Sequence, residues 1–279
     1  MILKKKEFRV INSTIVVSNM KHQEMTMDSP GYMILRIKRG ENIVMKLGII
    51  GPTEREIVPF ISKISNAKLS EHAMLKFYSG DFEGIDVVSV FCGVCKVNAA
   101  IATQILINEF NVTHIILTGV AGALNNQLKI GDIVISSEVA YHDVAPGILT
   151  EYHPWMKDNY FKPDAELLWL SENIANSFPT SGKCYVGRII TGEAFITHNE
   201  RKYLIEHFNP LCVDMESAGV AHTCYVNNIP FIVIRSISDD ADENGSKTFE
   251  DNIEMAALNS INFVEVLVSK LGIIEFGSI

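Results

Sequence analysis

Residues 46–64, KLGIIGPTEREIVPFISKI, indicate the fold class most clearly, because the spacing of their apolar residues changes once from that of a strand to that of a helix. The run KLGII (46–50) is short and continuously apolar, as expected for a buried strand. Pro52 and Thr53 then suit the start of a helix. After them, apolar side chains recur at helical spacing, at Ile57, Phe60, Ile61 and Ile64. A strand followed directly by a helix predicts the repeating unit of an α/β fold.

The same alternation continues along the chain. Further apolar runs predict strands, namely IDVVSVFC (85–92), THIILTGVAG (113–122), GDIVISSEVAYH (131–142), KCYVGRIITGEAF (183–195) and PFIVIRSISD (230–239). Helical patterns lie between and after them, at 98–110, 164–178, 199–208, 216–228 and 248–272, the second opened by Asp164. We therefore predict an α/β fold, a single domain with a mixed, largely parallel central sheet flanked by helices on both faces.

The charge of the chain is uneven. The whole chain of 279 residues has a net charge of −9, which disfavours a nucleic-acid partner because phosphate binding needs clustered Lys and Arg. Residues 1–44 contain eight Lys or Arg and four Asp or Glu, so they have a net charge of +4 and residues 45–279 one of −13. The composition thus divides the chain near Met45.

The N-terminal segment does not have the pattern of a secretory signal, because Arg9 and Asn12 interrupt its apolar stretch. We expect residues 1–44 to be an extension outside the fold, with Met45 a candidate natural start. Residues 45–271 would then form the catalytic domain and 272–279 a C-terminal tail. No run approaches about 18 apolar residues, so no membrane span is expected.

Five cysteines are present, an odd number in mostly apolar surroundings: Cys92, Cys95, Cys184, Cys212 and Cys224. This usage fits reduced thiols in a cytoplasmic protein better than a disulfide framework. The spacing of Cys92 and Cys95 leaves a redox pair as an alternative. It is disfavoured because Gly93-Val94 is an ordinary strand-to-helix turn.

Several site motifs are missing from the sequence. It lacks a Walker A loop, a G-x-G-x-x-G fingerprint, an H-E-x-x-H or paired-cysteine zinc pattern and a G-x-S-x-G elbow, so neither a cofactor nor a metal is expected. Instead, carboxylates follow the predicted strands, where ligands bind in α/β sheets: Glu54, Glu56, Glu193, Asp214, Glu216, Asp239 and Asp240. Several carboxylates suit cleavage of a bond to a sugar, which needs an acid, a base and stabilisation of a cationic centre.

Seven motifs, in this order and spacing, resemble those of a known family: MKLGIIGPTEREI, ILTGVAGAL, KIGDIVIS, YHD, TGEAFI, VDMESAGVAH and VIRSISDDAD. The family is that of the bacterial 5′-methylthioadenosine/S-adenosylhomocysteine nucleosidases, within the purine nucleoside phosphorylase superfamily. The resemblance extends from about Met45 to Leu271. It implies a homodimer that hydrolyses the N-glycosidic bond of these nucleosides, without a cofactor, through an oxocarbenium-like transition state.

The resemblance also assigns roles to three carboxylates. Asp239 would protonate N7 of adenine, which requires an enclosed, charge-crowded site. Glu216 would bind the ribose hydroxyls and favour the cationic transition state. Glu56 would polarise the attacking water. Taken singly, Glu56 and Glu216 could each be an ordinary acid at a helix N-terminus.

Seven further residues would bind the substrate. Phe195 would stack on the purine, the backbone at Ile196 would hydrogen-bond its polar edge, Met215 would pack against the ribose, and Ser238 would help to hold the acid. The floor of the pocket would consist of Val120, Ala121 and Gly122. Taken singly, Phe195 and Met215 are more typical of plain core.

The chain departs from the family pattern at several positions. Asp214 replaces the usual Glu, Val120 a common Ser, and Cys95 a usual Gly. The segment 144–161 differs most, so the preferred 5′ substituent stays open.

The acidic run after Asp239 also suggests a calcium loop, because Asp240, Asp242, Asn244 and Asp251 fall at EF-hand positions. It is disfavoured because a strand, not a helix, precedes the run. A solvated turn, with Thr248 capping the terminal helix, is the preferred interpretation.

Three rival functions remain. A phosphorylase would need cations for phosphate, and the neighbourhood of TGVAG contains no Arg. An aminodeoxyfutalosine nucleosidase stays open. A non-catalytic nucleoside-binding protein would be expected to lack one of the three carboxylates, and all three are present.

Overall fold

The computed structural model describes residues 9–11, 14–16, 23–28, 32–37, 45–152, 156–179, 182–196, 198–241 and 245–276. The chain divides into two compact units, Met1–Val44 and Met45–Ile279. In the first unit, four strands pair in chain order, each antiparallel to the next: β1 (Arg9–Ile11), β2 (Thr14–Val16), β3 (Gln23–Asp28) and β4 (Tyr32–Ile37). That residues 1–44 lie outside the catalytic fold, and that the domain ends at 271, stay predictions.

The second unit is an α/β fold. Among its described residues, one sheet contains ten strands: β5 (Lys46–Gly51), β6 (Ser65–His72), β7 (Leu75–Phe82), β8 (Ile85–Phe91), β9 (His114–Ala123), β10 (Ile133–Tyr141), β11 (Tyr160–Phe161), β12 (Cys184–Thr191), β13 (Cys212–Asp214) and β14 (Phe231–Asp239). The helices are α1 (Glu54–Ile61), α2 (Lys96–Phe110), α3 (Ile148–Tyr152), α4 (Ala165–Ala175), α5 (His198–Phe208), α6 (Ser217–Asn227) and α7 (Gly245–Phe276).

The sheet is mixed, and it is not largely parallel as predicted. Parallel pairs are β5–β8, β5–β9, β9–β14, β10–β12 and β12–β13. Antiparallel pairs are as numerous: β6–β7, β7–β8, β10–β11, β10–β14 and β9–β13. Strands β9, β14, β10, β12 and β13 pair in a closed ring, because β13 returns antiparallel to β9.

The predicted helix layers on both faces are confirmed by the packing of the core. On one face, buried residues of α2 and α6, such as Leu106 and Val220, join those of β9 and β14. On the other face, buried residues of α1, α4 and α7, such as Phe60 and Leu167, pack together. The stretch 46–64 behaves as predicted up to the end of α1, since β5 is buried and Ile57 and Phe60 are fully covered.

Of two predicted helix N-caps, one is present in the structure and the other is not. The predicted cap of α4 is confirmed, because the side chain of Asp164 accepts hydrogen bonds from the amides of Glu166 and Leu167. The predicted cap of the terminal helix is wrong. Helix α7 begins at Gly245, so Thr248 lies inside it, and the helix continues past residue 272 to Phe276. Residues 242–244 of the acidic run lie outside the described residues.

Five elements of the second unit were not predicted: β6, β7, α3, β11 and β13. The hairpin of β6 and β7 lies at the edge of the sheet, and its turn residues Ala73 and Met74 have φ angles of 50° and 66°. Such turns normally contain Asn or Gly, which is the signal that this sequence lacks. None of the helices within the described residues is long and apolar enough to cross a membrane.

Candidate active site

A cavity of about 290 Å³ lies beside the C-terminal ends of β9 and β14. It brings together all ten residues that the sequence singled out: Glu56, Val120, Ala121, Gly122, Phe195, Ile196, Met215, Glu216, Ser238 and Asp239. Strand-end acids outside this set are placed differently. Glu54, Glu193 and Asp240 are exposed and do not line the cavity. The cavity thus contains four of the seven candidate carboxylates: Glu56, Glu216, Asp239 and, beside them, Asp214.

Glu56 is buried at the first turn of α1, with 2% of its surface exposed. Its Oε1 accepts a hydrogen bond from the amide of Val120 at 2.9 Å, and its Oε2 accepts one from Thr53 Oγ1 at 2.6 Å. Burial raises the pKa of Glu56, while the positive charge of Arg235 and the bond from Thr53 oppose the shift. Both contacts fix the carboxylate in the cavity wall, so Glu56 is more than a solvated helix-terminal acid.

Glu216 precedes α6 and is held by a charged network. Its Oε1 accepts a hydrogen bond from the amide of Cys95 at 3.0 Å, and its Oε2 lies 3.1 Å from Nη2 of Arg235. Burial raises the pKa of Glu216 to about 7, opposed by Arg235 and reinforced by the charges of Asp214 and Glu56. The carboxylate therefore changes charge near neutral pH.

Arg235 organises this network from inside β14. It is fully buried, and its Nε donates to Asp214 at 2.8 Å. Asp214 in turn accepts hydrogen bonds from Thr191 Oγ1 at 2.7 Å and from the hydroxyl of Ser217. Opposite charges paired in this way offset the cost of burying them. The short side chain of Asp214 thus reaches the guanidinium directly.

One nitrogen of the Arg235 guanidinium is not used in these contacts. Its Nη1 is buried and has no hydrogen-bond partner among the described residues. It lies beside Gly119, where a β-carbon would collide with both this nitrogen and Oε1 of Glu56. A guanidinium N–H and a carboxylate oxygen therefore face the same small space. Such a pair can hold a water molecule between a donor and a base.

Asp239 ends β14 and is 4% exposed. Its Oδ2 accepts a hydrogen bond from Ser238 Oγ at 2.8 Å, and its Oδ1 accepts one from the amide of Ala241 at 2.9 Å. The register of β14 against β9 shifts between Ile237 and Asp239. This shift interrupts the regular alternation of side chains between the two faces of the sheet, at the point where the carboxyl group of Asp239 lines the cavity. These bonds fix the orientation of the acid.

The opposite wall of the cavity belongs to the loop after β12. Phe195 is 54% exposed, which excludes the interpretation of this ring as plain core, and it meets Phe249 edge-on at 5.9 Å. Ile196 is buried and Met215 half-buried. The loop is anchored by Asp143, whose Oδ2 accepts a hydrogen bond from the amide of Glu193 at 3.1 Å.

Asp143 is itself held by Lys96, whose Nζ lies 2.7 Å from both of its carboxylate oxygens. Lys96 begins α2, and its ammonium group also lies 5.3 Å from the centre of the Tyr141 ring. The start of α2 and the end of β10 thus cooperate to position the loop that contains Phe195.

Sequence reasoning missed Arg235, Thr191, Asp143 and Phe249. Arg235 had a recognisable signal, because it is the one charged residue in the buried run from Phe231 to Ser238, and a charge there needs a partner. Asp143 and Thr191 lie within the motifs YHD and TGEAFI. No local signal indicated their roles or that of Phe249, because these roles arise from contacts between elements distant in sequence.

The C-x-x-C alternative gains no support from the geometry. Cys92 is buried, its thiol donates to the carbonyl of Gly93, and burial raises its pKa well above the usual range. Burial also raises the pKa of Cys95. A reactive pair requires the opposite shift. No group of His, Cys, Asp and Glu within the described residues could hold a metal ion.

Comparisons with known proteins agree with this geometry. The family model of the phosphorylase superfamily matches residues 46–269. A 5′-methylthioadenosine/S-adenosylhomocysteine nucleosidase from Colwellia psychrerythraea is 39% identical over 235 residues, covering 81% of this chain and 97% of the relative.

Two solved structures also resemble this chain. The crystal structure of the nucleosidase from Colwellia psychrerythraea in complex with adenine has a TM-score of 0.76 at 38% identity, covering 82% of this chain and 96% of the other. A futalosine hydrolase of Helicobacter pylori has a TM-score of 0.75 at 27% identity, covering 82% of this chain and all of the other. The residues matched by the family model, 46–269, lie within the second compact unit.

Proposed function

The chain belongs to the phosphorylase superfamily and, within it, to the 5′-methylthioadenosine/S-adenosylhomocysteine nucleosidases, and from this we propose that it hydrolyses the N-glycosidic bond of both nucleosides. The products are adenine and the corresponding thioribose. The observation that supports this most directly is the convergence of Glu56, Glu216 and Asp239 on one cavity, each nearly or fully removed from solvent.

Each carboxylate has a separate task in this proposal. Asp239 gives a proton to N7 of adenine while the bond between N9 and C1′ breaks, so the base leaves neutral. Glu216 stabilises the positive charge that develops on the ribose. Glu56 takes a proton from the water that attacks C1′, with Arg235 Nη1 as a hydrogen-bond donor to that water. The protons and the bond electrons balance without a metal or a cofactor.

The remaining cavity residues bind the substrate. Phe195 stacks on the purine, the backbone at Ile196 hydrogen-bonds its edge, and Met215 packs against the ribose. Ser238 orients the acid through its 2.8 Å hydrogen bond. The floor is formed by three residues of β9, where backbone approaches the ligand closely: Val120, Ala121 and Gly122.

Charge favours hydrolysis over phosphorolysis. Among the described residues that line the cavity, Arg55 is the one cation, and it is paired with Glu250. Arg235 is likewise engaged by Asp214 and Glu216. A phosphate dianion would meet five carboxylates in this lining, Glu56, Asp214, Glu216, Asp239 and Glu250, and the one cation lies at the exposed rim.

Adenine release in the presence and absence of phosphate tests the proposal. The full-length protein, incubated with 5′-methylthioadenosine, should release adenine at the same rate in both conditions, followed by chromatography. Phosphate-dependent turnover would indicate a phosphorylase, and tight binding without turnover a binding protein. Asp239→Asn should abolish release while it preserves nucleoside binding.

The futalosine hydrolase similarity gives one specific alternative substrate. Aminodeoxyfutalosine should therefore be assayed beside the two thioether nucleosides, under the same conditions. A higher kcat/KM for aminodeoxyfutalosine would replace the proposed substrate class while leaving the N-glycosidase chemistry intact.

A homodimer is part of this proposal. Helix α2, the segment before α3 and the first residue of α3 expose large apolar side chains, which commonly mark interaction surfaces: Val97, Ile101, Val144 and Ile148. Light scattering after size exclusion should give twice the chain mass, and Ile101→Glu should give a monomer. Val58→Glu, at an exposed position of α1, is the matched control and should leave the dimer intact.

We also propose a cytoplasmic location and a role in methionine salvage. The five cysteines are free thiols, which fits a reducing compartment. Fractionation of cells followed by detection of the protein would test the location. Accumulation of 5′-methylthioadenosine after deletion of the gene would test the role.

A further inference from the structure

A bidentate ion pair spans two helices at the rim of the cavity. Arg55, in the first turn of α1, places Nη1 2.9 Å from Oε2 of Glu250 and Nη2 3.2 Å from its Oε1. Glu250 belongs to the beginning of α7. Both residues line the same cavity as Glu56 and Glu216.

The pair lies at the open end of the cavity. The side chains of Arg55 and Glu250 are 43% and 59% exposed, whereas Glu56, Glu216 and Asp239 are almost fully covered. If adenine contacts Asp239 and the ribose lies between the other two carboxylates, the 5′ substituent is directed towards the remaining, open part. The ion pair is then the charged feature that this substituent meets.

The chemistry of the pair matches an α-amino acid. At neutral pH an amino acid has a carboxylate, which a guanidinium binds through two parallel hydrogen bonds, and an ammonium group, which suits a carboxylate. An exposed ion pair contributes little to stability, so its partners can separate at small cost. We propose that Arg55 and Glu250 form a subsite for the amino-acid end of S-adenosylhomocysteine, an inference that rests on the proposed function.

The wall next to the pair is apolar. Val94 is 39% exposed, and Phe249 directly precedes Glu250; both line the cavity. A methylthio group would end at these side chains, whereas the homocysteine chain is long enough to continue to the charges. The arrangement therefore accommodates two thioethers, and only one of them uses the ion pair.

Substrate discrimination tests this subsite. The kcat/KM values for S-adenosylhomocysteine and 5′-methylthioadenosine should be measured for the parent protein, Arg55→Met and Glu250→Gln. We expect the ratio of the first value to the second to fall about tenfold in each variant, mainly through the KM for S-adenosylhomocysteine, because one charge-assisted contact is lost.

Lys63→Met is the matched control. Lys63, just after α1, forms an exposed ion pair of 2.6 Å with Glu265 of α7, and neither residue lines the cavity. The substrate ratio should stay at the parent value in this variant. An unchanged ratio in Arg55→Met and Glu250→Gln, or an equal change in all three variants, would overturn the subsite alone. A parent protein that turns over neither nucleoside would overturn the proposed function, and the subsite with it.

Discussion

Nη2 of Arg235 lies 3.1 Å from Oε2 of Glu216, and neither side chain has appreciable contact with solvent. The same guanidinium is bound to Asp214, so one buried cation serves two carboxylates. Because the two carboxylates repel each other, the charge of Glu216 depends on Asp214 as well as on Arg235. The network thereby connects the protonation state of Glu216 to Asp214 and Arg235.

The first prediction concerns pH. In the proposed reaction Glu216 must be ionised to stabilise a cation, and its pKa is about 7, so kcat/KM should rise as the pH increases through about 7. The Asp214→Asn variant removes a charge that raises this pKa, so the rising limb should move to lower pH. Asp86→Asn, which changes an exposed carboxylate on β8, should leave the limb in place. If the rising limb of the pH profile lies at the same pH in Asp214→Asn as in the parent protein, Asp214 does not influence the pKa of Glu216.

The second prediction concerns stability. Arg235→Met leaves Asp214 and Glu216 buried without their cation, which should lower the free energy of unfolding by about 3–5 kcal/mol at pH 8. The loss should be smaller at pH 5, because Glu216 is then protonated. Urea denaturation at the two pH values measures it. The control is Lys63→Met, which breaks an exposed ion pair and should lower the free energy of unfolding by no more than about 1 kcal/mol. An equal loss of stability in both variants would refute the role of Arg235.

Sequence reasoning succeeded where a signal was local. The apolar runs that became β5, β8, β9 and β14 are long and continuous, and the predicted strands are present at the expected positions. The predicted cap at Asp164 was found because a helix N-terminus depends on neighbouring residues alone.

It failed where the outcome depends on distant contacts. The three residues of β13 could not indicate that this strand pairs antiparallel to β9 and closes the ring, since pairing direction is set by chain connections. The turn at Ala73 and Met74 contains neither Asn nor Gly, so the sequence did not predict the hairpin of β6 and β7. In the candidate site, the three carboxylates were found through family motifs, whereas the anchoring role of Asp143 follows only from the folded geometry.

The third prediction concerns strain at Cys95. Its φ of 83° and ψ of 160° fall in a region that is almost restricted to glycine, and its amide holds Glu216. Cys95→Gly should therefore raise the free energy of unfolding by about 1 kcal/mol. This is the backbone strain that glycine relieves, reduced by the greater conformational entropy that glycine gives to the unfolded chain.

Asn111→Gly is its control. Asn111 has a φ of 53° in the left-handed region, which Asn tolerates, so little gain is expected there. Chemical denaturation of both variants gives the comparison. A destabilised Cys95→Gly would show that the thiol contributes more through packing than the backbone loses through strain.

The fourth prediction concerns the loop that contains Phe195. Asp143→Ala removes the acceptor for the amide of Glu193, so the loop should lose its anchor and KM should rise about tenfold, with a smaller change in kcat. Steady-state kinetics would show the split. Asp86→Ala deletes the partner of Lys46 away from the cavity and should change neither parameter. A parallel fall of kcat in Asp143→Ala would instead point to a direct effect on the reacting groups.

The last prediction concerns Gly119, the residue between Arg235 and Glu56. The methyl group of Gly119→Ala would collide with Nη1 of the arginine and Oε1 of the glutamate, so both must move from the space proposed for water. A displacement of about 1 Å can lower kcat roughly a hundredfold, and we expect a loss of that order. Gly131→Ala is the control, because Gly131 has a φ of 90° but its added methyl would meet no atom closer than 3.5 Å. The control measures the cost of the backbone angle alone, by denaturation, and should keep its kcat. If Gly119→Ala also keeps its kcat while folding normally, the water is not held between Arg235 and Glu56.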